Sequence, residues 1–325
     1  MVESIWLWIG FLAFVCAMLA IDLGVFHRKA HAVSVREAAT WTVVWIGLAL
    51  LFNLGIYFFW HQMVPASPYT NGEASVVFLT AYIIEKSLSV DNIFVFVMLF
   101  TYFAVPAAYQ HRVLFWGVLG ALVMRGVLIV AGTALIREFE WVLYIFGAFL
   151  IFTGVRMAMM DEGEVEPDKN PIVKWVRRFM PVTEEYEGQN FFVRRNAALY
   201  ATPLLLVLVV VETTDLLFAL DSIPAIFAVT QDPFIVFTSN VFAILGLRAL
   251  YFLLAGMMDK FRFLKLGLAV VLTFVGVKMV THEIWHISTG MSLGIVAGVI
   301  ALSVVASLLI PAPVALPVSE AESAD

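Results

Sequence analysis

Cysteine and charge are both scarce in this sequence. One of its 325 residues is a cysteine, Cys16, and 14% are charged, with a net charge of −6. A single cysteine excludes an intramolecular disulfide and a thiolate metal cluster, and the acidic balance offers no basic surface for a nucleic acid. Apolar residues make up 62% of the chain, whereas soluble domains have about 45–50% apolar and about 25% charged residues. The composition therefore predicts a membrane protein, with the lipid bilayer as its surroundings.

Nine apolar runs approach or exceed the roughly 20 residues that a helix needs to cross a bilayer. They are too long for the strands of a membrane barrel, so we expect helices. The predicted fold is an all-α polytopic membrane protein with about nine transmembrane helices. The runs cover residues 5–26, 41–60, 76–103, 113–136, 141–157, 199–220, 234–257, 266–280 and 291–310.

Lysine and arginine predict the orientation of these spans. If the N-terminus lies outside, nearly all basic residues of the loops fall on the inner side and only Arg137 falls outside. This asymmetry predicts an outer N-terminus and, after nine crossings, a cytoplasmic C-terminus. The start, Met-Val-Glu-Ser, has no basic region and no cleavage site, so we expect the first run to remain as a span. A bacterial inner membrane is the predicted location.

The longest loop is predicted to lie inside. Its acidic run, residues 161–168, is typical of a solvated linker, and residues 171–180 mix bulky apolar and basic side chains. Such a mixture suits a short helix on an anionic membrane surface. The tail after Pro311 is expected to be disordered.

Charged residues recur in the same order in two parts of the chain, at offsets of 130, 123 and 122 residues. The matching positions are Glu85 and Asp215, Asp91 and Asp221, Asn92 and Ser222, Arg125 and Arg248, and Arg156 and Lys278. Spans three to five thus match spans six to eight. Because each unit has three spans, the second enters from the opposite side, which predicts an inverted repeat of the kind found in secondary transporters. The predicted divisions are residues 1–74, 75–158 (repeat one), 159–197 (cytoplasmic loop), 198–284 (repeat two) and 285–325.

Five carboxylates lie inside the predicted spans. A charge at the centre of a bilayer helix costs about 2.5–3.5 kcal/mol, so these groups should face the bundle interior, where they are paired, protonated or bound to a cation. The five are Glu85, Asp91, Glu212, Asp215 and Asp221. Glu85 and Asp91 do not share one face of an ideal helix. A local break would bring them together, and Pro224 indicates such a break after Asp221.

Together with Asn92 and Ser222, these carboxylates form a set of oxygen donors that suits magnesium, calcium or manganese. The alternative is an ion-pair network without further function, and we interpret Lys86, Arg125 and Arg248 as structural partners of the acids. Five acids against three bases leave an excess of negative charge. Arg156 and Lys278 lie nearer the span ends, where we expect snorkelling to the membrane surface.

Three stretches, residues 82–92, 211–227 and 238–248, resemble the TerC family of integral membrane proteins, most closely its Alx branch. The resemblance extends over nearly the whole chain. It implies a bacterial inner-membrane protein linked to manganese export, within a superfamily of inverted three-span repeats. The family has also been labelled for tellurite resistance and redox modulation. The resemblance assigns the family's intramembrane acidic positions to Glu85, Asp91, Glu212, Asp215 and Asp221.

A competing motif lies at the end of the eighth run. His282-Glu283-Ile284-Trp285-His286 fits the H-E-x-x-H spacing of zinc metalloproteases. No convincing third ligand accompanies it, and Trp285 is typical of the aromatic belt at a membrane surface. We therefore interpret the histidines as interfacial, and we expect neither an enzyme nor a bound cofactor.

The sequence therefore predicts a secondary transporter that exports a divalent cation, manganese, from the cytoplasm. Asp91 and Asp221 would form the core of the cation site, while Glu85, Glu212 and Asp215 complete it or carry protons in an antiport. The alternative is a membrane stress-response or redox-modulating protein without transport. The choice between manganese and calcium, the coupling ion and the oligomeric state stay open.

Overall fold

The computed structural model describes residues 2–24, 34–159, 171–195, 198–255, 263–281, 284 and 287–310, with the side chains of these residues except 2–4, 22–24, 91, 94, 171 and 172. Within this part of the chain lie eleven α-helices and one antiparallel hairpin. The helices are α1 (Val2–Gly24), α2 (Val35–Met63), α3 (Asn71–Tyr102), α4 (Ala107–Glu138), α5 (Val142–Met159), α6 (Pro171–Phe179), α7 (Pro203–Phe227), α8 (Pro233–Leu245), α9 (Leu247–Leu254), α10 (Leu264–Val280) and α11 (Thr289–Leu309). The strands are β1 (Phe192–Arg195) and β2 (Ala198–Ala201).

Each of the nine apolar runs coincides with a helix or, for the seventh run, with the pair α8 and α9. Among the described residues, six segments are long and apolar enough to cross a membrane by themselves: α2, α4, α5, α7, α8 with α9, and α11. The outer surfaces of these helices carry exposed apolar side chains such as Leu51, Val130, Phe152 and Leu302, as expected for a surface against lipid. The all-α polytopic architecture is confirmed, and the count of nine spans stays a prediction.

Helix starts follow local side-chain chemistry. Thr70 and Glu73 form a reciprocal capping box at the start of α3, which satisfies backbone donors that the first turn leaves open. Asp232 caps α8 by accepting the N–H groups of Phe234 and Ile235, each at 3.0 Å. The sixth run was expected to begin at residue 199, but this expectation is wrong: residues 198–201 pair with β1, and α7 begins only at Pro203.

The predicted helix breaks are also wrong. Helix α3 continues unbroken through Glu85 and Asp91, and α7 continues through Pro224 to Phe227. Pro224 lacks the N–H donor of one intrahelical hydrogen bond, but it lies in the last turn of α7, so the helix before it stays intact. A break occurs instead at Gly246, between α8 and α9.

Helices α5 and α10 pack against each other through glycines in an antiparallel arrangement. A Cβ built at Gly154 would lie 2.7 Å from the Ala269 carbonyl oxygen and 2.9 Å from the Thr273 nitrogen. A Cβ at Gly276 would lie at the same two distances from the Gly147 oxygen and the Ile151 nitrogen. The 122-residue offset exchanges these two sets of contacts, as a twofold axis between the helices would. The inverted repeat stays a prediction, which this reciprocity supports.

The segment between α5 and α7 caps one end of the bundle. The predicted short helix over residues 171–180 is found as α6, and Val173 on it is buried. The Tyr186 hydroxyl donates to the Phe103 carbonyl at 2.7 Å, and the Gln189 amide donates to the Ala108 carbonyl at 3.2 Å. This segment is therefore docked on the connection between α3 and α4. The predictions for the acidic run 161–168 and for the tail after Pro311 lie outside the described residues.

Candidate functional site

The centre of the bundle holds a buried ion cluster around Arg125 of α4. Its Nε and Nη2 donate to the two carboxylate oxygens of Asp215 on α7, at 3.1 and 3.0 Å. Its Nη1 forms an ion pair with Glu85 of α3 and donates to the Ser222 hydroxyl at 3.1 Å. Arg125 is only 2% exposed. One guanidinium therefore joins three helices through two carboxylates.

This cluster contains both a predicted structural cation and predicted cation ligands. Arg125 was interpreted as a structural cation, whereas Glu85, Asp215 and Ser222 were predicted cation ligands. Two carboxylates share one guanidinium, so the trio has a net negative charge when all three groups are ionised. The Glu85 Oε2 atom is buried and has no hydrogen-bond partner among the described residues. A buried polar atom without a partner in a native structure calls for an unseen proton, water or ion.

Glu212 lies on α7 one turn before Asp215, and its carboxylate faces α4 at Gly120. A Cβ at Gly120 would overlap that carboxylate, so a larger residue here would force the Glu212 carboxylate to move. The Glu212 Oε2 atom is buried without a hydrogen-bond partner in the part of the chain that the structure describes. Glu212 is therefore a second residue with a buried carboxylate oxygen that could bind a cation or a proton.

Asp221 faces a different neighbour. Its Oδ1 accepts a hydrogen bond from the Thr153 hydroxyl of α5 at 3.2 Å, and the side chain is partly buried. Asn92 on α3 is 3% exposed. Asp91 lies within α3, but its side chain is outside the described residues. The structure consequently does not place the predicted Asp91–Asp221 pair.

The other two predicted structural cations have distinct contacts. The Lys86 ammonium donates to the Ala243 carbonyl at 3.2 Å, in the last turn of α8. A Cβ at Gly246 would lie 2.8 Å from the Lys86 nitrogen, so the glycine at the helix break gives the ammonium space. The Arg248 Nη1 atom lies 2.8 Å from Nε2 of His111 on α4.

Lys278 departs from its prediction. Snorkelling to the membrane surface was expected, but the side chain is only 8% exposed. It lines a cavity at one end of the bundle together with Tyr69, Arg137 and Thr230. The reason is packing: Lys278 lies beside the buried Met279 on a face of α10 that packs into the bundle, whereas Val277 lies on the exposed face.

Sequence reasoning missed Gly120, Thr153 and His111, each of which contacts a predicted residue on another helix. Gly120 lies five residues before Arg125 on α4, but glycines are common in membrane helices. The sequence alone therefore does not indicate that Gly120 contacts Glu212. Among the described side chains, no three His, Cys, Asp or Glu residues are grouped as a metal site. The predicted cation-ligand set stays a prediction, and four residues of the H-E-x-x-H motif, His282, Glu283, Trp285 and His286, lie outside the described part.

Comparisons with known proteins match most of the chain. The model of the integral membrane protein TerC family matches residues 70–313. A Myxococcus xanthus protein named uncharacterized membrane protein STKORF319 is 52% identical over 93% of this chain and 92% of its own. Proteins named putative membrane-bound redox modulator Alx are 53% identical, from Salmonella typhi over 92% of this chain and from Escherichia coli K12 over 91%, each over 92% of its own length. No solved structure matches the chain.

Proposed function

Because the chain belongs to the TerC family of integral membrane proteins, we propose that it is a secondary transporter that exports divalent metal, manganese first, from the cytoplasm. The observation that carries this proposal is a surplus of acid inside the bundle. Glu85 and Asp215 share Arg125, whereas neither Glu212 nor Asp221 forms an ion pair within the described residues. Carboxylates in a membrane interior need a cation or a proton.

The carboxylates of α7 lie at successive levels along the helix. Glu212 and Asp221 are nine residues apart, which on an α-helix is about 13.5 Å along the axis and about half a turn around it. Asp215, bound to Arg125, lies between them. At these distances the carboxylates cannot bind one cation together, which favours a path with several successive cation-binding positions. A cation would move from Glu212 past the Arg125 cluster to Asp221 and its predicted partner Asp91.

The direction of this path follows from the ends of α7. Glu212 lies nearer Pro203, beside the hairpin of the predicted cytoplasmic segment, and Asp221 lies nearer Phe227. Export would therefore begin at Glu212 and end beyond Asp221. All the donors are oxygens, which suit manganese, magnesium and calcium alike. Protonation of a carboxylate removes its charge, so a proton antiport would release the metal at the exit.

The test uses purified protein in inside-out proteoliposomes offered manganese, magnesium or calcium. We expect wild-type vesicles to accumulate manganese, and we expect Asp221→Asn and Glu212→Gln to lower the initial rate at least about tenfold, the scale of lost metal-site contacts. Glu138→Gln, on the exposed end of α4, is the matched control and should transport normally. Equal uptake by Asp221→Asn and wild type would contradict the proposed path.

The names of the Alx relatives suggest a second candidate function, a membrane redox or stress-response protein without transport. Redox chemistry by the chain itself would use Cys16, which is exposed. The Cys16→Ser variant separates the two functions. The transporter proposal expects unchanged manganese uptake in this variant. A redox role would instead appear as a loss of the cellular redox phenotype in Cys16→Ser, with no manganese uptake by either protein.

A further inference from the structure

A cavity of about 680 Å³ opens at the bundle end where α4, α7 and α10 finish. Phe227, the last residue of α7, lines it, and the Phe227 ring packs so closely on Gly132 of α4 that a Cβ there would lie 2.7 Å from it. The polar lining includes Tyr69, Arg137 and Lys278. None of these groups belongs to the carboxylate path, so the cavity is a separate feature.

Lys278 is the unusual member of this lining. It is more than nine-tenths buried, yet its ammonium has no hydrogen bond or ion pair with any described residue. A charge on a largely buried side chain is costly unless it is paired, and Lys278 is one of the residues that line the cavity. Such an ammonium calls for an anion.

The remaining groups around the cavity match an oxyanion. Arg137 supplies a second positive charge, and the hydroxyls of Tyr69 and Thr230, which hydrogen bond to each other at 3.1 Å, supply polar atoms at the lining. Glu140 is the acid among the lining residues, and Asp232 interacts electrostatically with Arg137 from outside the lining. Lysine and arginine together are the usual ligands of phosphate groups in proteins.

We propose that this cavity binds a phosphate group through Lys278 and Arg137, from free inorganic phosphate or from a phospholipid headgroup. The proposal does not depend on metal transport, because its test measures binding. The volume leaves space for more than a bare phosphate, so both sources fit the cavity.

The experiment follows thermal unfolding of the full-length protein purified in a phosphate-free sugar detergent. One arm adds inorganic phosphate and the other adds short-chain phosphatidylglycerol, because a ligand that binds only the folded state raises Tm with its concentration. A rise with inorganic phosphate identifies the free ion as a source, and a rise with the lipid alone identifies the headgroup. If neither raises the Tm of the wild type, the proposal is wrong.

Variants tie the response to the cavity. Lys278→Met should bind the phosphate probe at least tenfold more weakly, and Lys278→Arg should bind it nearly as well as wild type. Lys265→Met, at the opposite end of α10, is the matched control and should respond like wild type. Should Lys278→Met fail to fold, Arg137→Gln decides, since Arg137 is exposed at the end of α4. An undiminished response in Arg137→Gln would then refute the proposal.

Discussion

Replacing Arg125 by methionine tests the central ion cluster. The substitution keeps an unbranched apolar stem but removes three hydrogen bonds at 3.0–3.1 Å to Asp215 and Ser222 and the ion pair to Glu85. Hydrogen bonds to charged groups contribute about 1.5–3 kcal/mol each, but these values do not add. Removing one partner of a buried ion pair costs about 3–5 kcal/mol, and here one cation serves two acids. We therefore expect Arg125→Met to lower the free energy of unfolding by at least about 3–5 kcal/mol.

The decisive comparison is with a triple variant, Arg125→Met with Glu85→Gln and Asp215→Asn. This variant removes the acids' charges together with the cation, so no unpaired buried charge remains. An unpaired buried charge costs more than an unpaired buried amide, although the two amides opposite a methionine still cost stability. We therefore expect the triple variant to regain part of the stability that the single variant loses.

The assay is reversible unfolding in mixed micelles with increasing sodium dodecyl sulfate, followed by circular dichroism at 222 nm. Arg156→Met, on the exposed face of α5, serves as the control for loss of a membrane arginine. If Arg125→Met is as stable as wild type, or if the triple variant is no more stable than the single one, the cluster does not hold the three helices together.

Two further predictions concern the carboxylates of α7. Gly120→Ala places a methyl group where the Glu212 carboxylate lies. Because this carboxylate is the flexible end of a side chain, we expect the fold to persist and manganese transport to fall about tenfold. The control is Gly126→Ala, whose Cβ would lie 3.4 Å from a phenylalanine ring and which should transport normally. Thr153→Val removes the hydroxyl that donates to Asp221, and we expect the manganese concentration for half-maximal uptake to rise about tenfold; an unchanged value would show that this bond does not orient the carboxylate.

Much of the fold could be predicted from hydropathy, because a bilayer forces backbone polar groups to bond within each helix. Each of the nine apolar runs overlaps a helix for this reason. The cost of a charge in the bilayer likewise predicted that the acids face the bundle interior, where Glu85 and Asp215 form ion pairs with Arg125. The rule that a membrane charge must be paired therefore predicts burial correctly even when it does not say which acid meets which base.

Features that depend on contacts between distant helices could not be predicted. The break at Gly246 accommodates Lys86 from another helix, and nothing in the local sequence of α8 distinguishes this glycine from others. Pro224 does carry a local signal, but its place in the last turn of α7 makes it harmless. The hairpin after α6 was missed because residues 192–201 include apolar side chains that extend the sixth run toward the N-terminus.

If the chain is the transporter proposed above, the central cluster would bear on transport as well as on stability. An apolar core of similar volume is often at least as stable as a buried ion cluster, so stability alone is a weak reason for Arg125 to lie between Glu85 and Asp215. A guanidinium that two carboxylates share can pair more strongly with one of them when a cation binds the other. Glu212 lies one turn from Asp215, so a divalent cation bound there would compete with Arg125 for the same carboxylate. A triple variant that folds stably but no longer moves manganese would therefore place the function of the cluster in transport.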